Sequence, residues 1–174
     1  MRSVTPVPAP LAYRTRLVER RDAEALRAIY NVEVLESTVT FDLVPRTLAE
    51  QTAWVDEHSG GHPAIVAVDE RDTVGGFASL SPYRPRPAYA TTVEDSVYVR
   101  RDLRGQGLGR LLLGDLVELA RDHGFHSVMG RIVGDHDASI ALHAACGFEQ
   151  VGREREVGRK FNRWLDVVLM QRML

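Results

Sequence analysis

Between Thr92 and Leu113 the chain reads TVEDSVYV, then RRDLRGQGLG, then RLLL. Val93, Val97, Tyr98 and Val99 suit a pleated, partly buried strand over 92–99. Gly105, Gly107 and Gly109 then let the backbone curl, with no Cβ between it and a ligand. A helix follows to about His123, with Leu112, Leu116, Leu119 and Ala120 on its buried face and Gly124 as its stop. Its first turn presents unpaired N–H groups and the positive end of the helix dipole, which together make an anion site suited to phosphate. Arg104 and Arg110 add charge at the rim, and Glu94 stands upstream. A phosphate-bearing cofactor beside a proton-transfer group is therefore expected on one element.

Composition narrows the setting. The 174 residues, 44% hydrophobic and 26% charged, suit one globular domain with a core that needs neither disulfide nor metal. A net charge of −2 argues against nucleic acid or an anionic membrane as a general partner. Cys146 is the single cysteine, so a reducing cytoplasm is expected and no intrachain disulfide can form. Cys146 beside Gly147 at a helix end reads as packing, not as a nucleophile. The six histidines lack metal-ligand spacing on one helix face, so no metal site is expected. Pro6, Pro8 and Pro10, without an apolar run, mark residues 1–13 as a disordered leader and not a signal peptide, leaving 14–174 as the domain.

Along that domain the patterns predict a strand over 14–20, a helix from Asp22 to about Leu35, and a loop or short strand over 37–42. Thr47-Leu48-Ala49-Glu50 is a capping box, opening a helix to about His58. Strands over 64–68 and 73–81 form a hairpin, and Gly75-Gly76 marks a bulge or a close ligand approach. A stiff loop, Tyr83-Arg84-Pro85-Arg86-Pro87-Ala88-Tyr89, precedes the central strand. A strand over 127–133 and a short helix over 137–146 come next. Strands over 148–153 and 164–170 close the chain, joined by a charged stretch from Glu154 to Arg163. Helices inserted among strands predict an α+β fold with helices on both faces of the sheet.

The glycine turn is not a dinucleotide fingerprint, because the third glycine would fall at Arg110, and it is not a Walker loop, because no Gly-Lys-Ser/Thr follows. Arg104-x-x-Gly107-x-Gly109 directly after a strand resembles the pyrophosphate loop of the GCN5-related N-acetyltransferases, the GNAT superfamily. Ser139-Ile140-x-Leu142-x4-Gly147-Phe148 resembles that family's late helix and strand. Thr92-Val93-Glu94-x-Ser96-Val97-Tyr98-Val99, the 83–89 loop, Leu142-His143 and Gly158-x-Lys160-Phe161-x-x-Trp164-x-Asp166 are similar to its phosphinothricin and methionine sulfoximine N-acetyltransferase branch. The resemblance spans about Thr15 to Leu174. It implies a central mixed, mostly antiparallel sheet, acetyl-CoA as cofactor, acetylation of the α-amine of a small polar amino acid or analogue by direct attack in a ternary complex, and a homodimer.

The resemblance also distributes roles. Glu94 is implied as the base, and burial in a pocket would raise its pKa toward the working range. His143 is implied as acid or as relay to Glu94, with a structural histidine as the alternative. The cofactor is assigned to Val97, Tyr98 and Val99, with strand-like backbone bonding near Val97 and Val99, to Arg104, Gly105, Gln106, Gly107, Leu108, Gly109 and Arg110 in the turn, and to His136 and Ser139. His136 stands where the broader family often has an asparagine, and an imidazole replaces only part of an amide's bonding. Arg84, Arg86 and Tyr89, with Phe41, Thr92 and Lys160, are assigned to the amine substrate, Arg84 and Arg86 for an acidic or tetrahedral polar group or for the α-carboxylate, with Phe41 as a core anchor and Lys160 acting from a second subunit as open alternatives. Acetylation of another amine, a polyamine or a peptide N-terminus, stays open, as does a non-catalytic acyl-CoA-binding module.

Overall fold

The computed structural model describes residues 12–174. The expected leader falls outside the described residues, except for Ala12 and Tyr13. Tyr13, at the expected boundary, packs against the core. Seven strands form one sheet in the order β1-β2-β3-β4-β5-β7-β6. They are β1 (Arg14–Leu17), β2 (Ala64–Val68), β3 (Val74–Pro82), β4 (Thr92–Val99), β5 (Ser127–Val133), β6 (Glu149–Lys160) and β7 (Arg163–Met173). All neighbours are antiparallel except β4 and β5. The helices are α1 (Ala23–Glu36), α2 (Leu48–Glu57), α3 (Leu108–Asp122) and α4 (Asp137–Ala145). No helix of the described residues is long and apolar enough to cross a membrane.

Two apolar clusters sandwich the sheet. On one face Leu26, Ile29, Tyr30 and Val34 of α1 and Val55 of α2 meet Val66, Val68 and Phe77. On the other, Leu108, Leu112, Leu113, Leu116, Val117 and Ala120 of α3 cover Ile65, Ala78, Leu80 and Val93. The helical period of those α3 positions puts them on one stripe, and each buried leucine contributes about 2 kcal/mol of transfer free energy. The Thr47 cap forms as expected, its hydroxyl accepting from the Glu50 amide while the Glu50 carboxylate accepts from the Thr47 amide. At Gly75 and Gly76 the bulge and the close approach both occur. The groups that approach these glycines are Leu103, Tyr13 and the Tyr98 carbonyl.

The C-terminal pair departs from expectation. The charged stretch expected to join two short strands is itself strand, and β6 and β7 run on to a tight turn at Phe161 and Asn162, both at positive φ. High charge hid the strand because one side of this edge hairpin faces solvent. Segment 37–42 is a loop, not a strand. Its course is set by Lys160, whose Nζ donates to the Thr40 carbonyl at 2.9 Å and the Glu33 carbonyl at 3.4 Å.

Candidate active site

The site begins where the sheet opens. β4 and β5 pair only at Thr92 with Ser127, Val93 with Val128 and Glu94 with Met129, although both strands continue. Beyond Glu94 they splay. The Arg100 amide donates to the Gly75 carbonyl, so even-numbered residues of β4 turn their amides to β3. Val97 and Val99, beyond the last ladder bond, therefore turn theirs into the splay. A cavity of about 420 Å³ fills this wedge, bounded by β4, β5, the glycine turn and the first turns of α3 and α4.

All the residues assigned to the cofactor line that cavity except Gln106 and Leu108. Gln106 donates its side-chain amide to the Asp102 carbonyl, and Leu108 is core, 1% exposed. Gly105 and Gly107 lie at φ 73° and 90°, where other residues are strained, and Gly107 is the N-cap of α3. Gly109 serves differently: a Cβ there would meet Leu142 at 3.1 Å, so its lack of side chain lets α3 and α4 close beside the cavity. Arg110 stands exposed on the first turn of α3. Arg104 is turned back, its Nη2 donating to Glu33 Oε1 at 2.7 Å and its Nε to the Val99 carbonyl at 3.3 Å. Tyr98 lines the cavity, but its amide belongs to β3 and its ring packs on Tyr30 and Phe77. His136 and Ser139 flank the cavity from α4, and burial with the nearby Arg104 charge lowers the His136 pKa. Free amides on a strand edge, a glycine-wrapped helix start and the Arg110 charge fit a diphosphate ligand carrying an amide-bearing arm.

Glu94 and His143 lie on opposite faces. Val93, Val97 and Val99 pack toward α3, and Asp95 reaches His143 of α4, so odd-numbered β4 side chains point to that face. Glu94 points to the other, at the closed end of the splay. Burial lifts its carboxyl above the ordinary value, and the Arg131 charge partly offsets this. The expected relay from His143 to Glu94 is thus corrected: the partner is Asp95, with Nε2 and Oδ2 3.0 Å apart and both side chains almost fully buried. His143 Nδ1 lies 2.8 Å from the Ser139 carbonyl, which only accepts, so Nδ1 carries a proton. With Nε2 also facing an acceptor, the ring is held at both nitrogens, and the carboxylate raises its pKa against the opposing effect of burial. Gly130 makes room for the pair, since a Cβ there would lie 2.8 Å from the His143 ring.

The residues assigned to the amine substrate separate into groups. Arg84 stacks its guanidinium over Tyr83 at 5.0 Å and Tyr89 at 5.9 Å on the exposed loop after β3, and Arg86 is exposed beside them. Thr92 shares the Glu94 face two residues upstream. Phe41 leans on Gly158 of β6, where any Cβ would collide with its ring. Lys160 is a correction: it is 4% exposed and fastens the 37–42 loop from within its own chain, so it is not part of a substrate pocket. Val39 and Arg131, which line the cavity, were missed. Arg131 stands in an apolar strand pattern, a signal that could have marked it.

A family profile described as an acetyltransferase (GNAT) domain matches residues 15–169. An L-methionine sulfoximine/L-methionine sulfone acetyltransferase of Pseudomonas aeruginosa is 44% identical over 151 residues, 86% of this chain and 88% of its own. A phosphinothricin N-acetyltransferase of Streptomyces coelicolor is 39% identical over 171 residues, 97% of this chain and 100% of its own. The crystal structure of a GNAT superfamily phosphinothricin acetyltransferase from Sinorhizobium meliloti, in complex with acetyl-CoA, superposes with a TM-score of 0.90 at 38% identity, covering 94% of this chain and 89% of that one.

Proposed function

This chain belongs to the GNAT acetyltransferase family, and we propose that it transfers the acetyl group of acetyl-CoA to the α-amine of a small polar amino acid or analogue. Phosphinothricin and methionine sulfoximine or sulfone, the compounds for which its relatives are named, are the leading substrates. The observation that carries the reading is the splay of β4 from β5 just beyond Glu94, which sets a half-buried carboxyl beside a strand edge of free amides. Acetyl-CoA, when bound, supplies an activated thioester. The α3 N-terminus and Arg110 hold the diphosphate. The Val97 and Val99 amides offer N–H donors inside a low-dielectric wedge, where such bonds are strong. Glu94 takes the proton from the substrate ammonium, its burial moving it toward a useful basicity. His143 carries no proton to the substrate in this scheme, because both ring nitrogens are engaged. A cytoplasmic homodimer completes the proposal, and exposed Val157, Phe161 and Trp164 at the β6–β7 tip support the dimer.

Thiol release from acetyl-CoA, followed across amino acids, their sulfone, sulfoximine and phosphinic analogues, and polyamines, tests the reading. Turnover restricted to polyamines would overturn it. Glu94→Gln is expected to lower kcat about 10²- to 10³-fold with acetyl-CoA affinity retained. In the unaltered protein kcat/KM rises with pH as Glu94 ionises, at an inflection above the ordinary carboxylate value. Full activity of Glu94→Gln would remove the base.

A further inference from the structure

Arg131 is a charge that neither the glycine turn nor the base accounts for. Val128 and Ile132 pack toward α3, and Gly130 adjoins His143, so Met129 and Arg131 point to the opposite face, the one that carries Glu94. Glu94 pairs with Met129, which places Arg131 about 7 Å further along the neighbouring strand on the same face. Of the charges around Glu94, Arg131 has the largest influence, ahead of Asp95, Glu154 and Arg84. Arg131 lines the cavity, and its side chain is 32% exposed. One arm of its fork is held, Nη2 donating to Glu154 Oε2 of β6 at 2.8 Å. Its Nε and Nη1 make no hydrogen bond among the described residues. One face of the sheet thus carries a guanidinium that lines the cavity and, about 7 Å back along the neighbouring strand, the Glu94 carboxylate, which lies just outside the lining. An α-amino acid presents an ammonium and a carboxylate on one carbon. A polyamine lacks that carboxylate, and a peptide N-terminus has an uncharged amide in its place.

Resting on the amino-acid reading above, we propose that Arg131 is a specificity-determining residue that takes the α-carboxylate of the substrate while Glu94 faces its ammonium. Glu154 holds the guanidinium against the sheet between turnovers. Arg84, stacked on its tyrosines, is left to the side-chain group of the substrate. A planar fork on a central strand is pre-organised for bidentate carboxylate binding in a way that a loop arginine is not. The test compares one amino acid as free acid and as primary carboxamide, by thiol release, with acetyl-CoA affinity measured by calorimetry. The unaltered protein prefers the acid. Arg131→Gln lowers kcat/KM for the acid about 10- to 100-fold, chiefly through KM, and brings the acid-to-amide ratio near one. Calorimetric affinity for acetyl-CoA stays as before. Arg131→Lys, which keeps the charge and loses the fork, lowers the ratio less and carries the test if the glutamine variant does not fold. An unchanged ratio in the variants overturns the proposal, as does a loss confined to acetyl-CoA affinity. If the unaltered protein acetylates no free amino acid but does acetylate peptide N-termini or polyamines, the parent reading fails and this one with it.

Discussion

At the scale of single residues, the buried pair of Asp95 and His143 shows how context reassigns a side chain. His143 was legible as a site residue, and it does line the cavity. Its partner was not, because Asp95 follows Glu94 directly and only the strand's alternation sends the two to opposite faces. The raised His143 pKa couples the pair to stability. A histidine raised above its unfolded value contributes stability in full below that value and loses it as pH rises through the folded one. Asp95→Ala strands the imidazolium in a buried site and is expected to destabilise the fold by about 3 kcal/mol at mildly acidic pH. The deficit narrows as pH rises past the raised value. Urea unfolding across pH measures this, and a pH-independent deficit would contradict it.

At the scale of elements, strands and helices with strong periodicity were readable, and the glycine turn most of all. Its left-handed positions at Gly105 and Gly107 and its close approach at Gly109 are local demands written in residue type. The β6–β7 hairpin was only half readable. Its charged outer positions resemble a loop until their pairing partners are known. That hairpin also decides the role of Lys160, whose ammonium, its pKa lowered by burial, secures the 37–42 loop with Val39 and Phe41. Lys160→Met leaves the Thr40 carbonyl unpaired, so a loss of about 1–3 kcal/mol is expected, measured by thermal unfolding. KM for the amine rises with it as the loop loosens, while acetyl-CoA affinity holds. A rise in KM with no loss of stability would return Lys160 to direct substrate contact.

At the scale of the whole molecule, one splay between two central strands serves both halves of the proposed reaction. The α3 and α4 face meets the glycine turn, and the opposite face carries Glu94, Arg131 and the 37–42 loop. Three of the exposed apolar side chains lie together at the β6–β7 tip, Val157, Phe161 (53% exposed) and Trp164 (61%). Such side chains together are rarely left in water, so sedimentation is expected to give twice the chain mass, and Trp164→Glu to halve it. A concentration-independent monomer in the unaltered protein would reject the dimer. The order of elements, the glycine turn and the candidacy of Glu94 follow from local pattern: period, glycine placement and motif spacing act within a few residues of one another. The partner of His143, the fastening role of Lys160 and the pairing of Arg131 with Glu154 join residues 48, 120 and 23 positions apart. Contacts of that span are set by which strands lie side by side and which face each residue takes, and only the folded sheet supplies both.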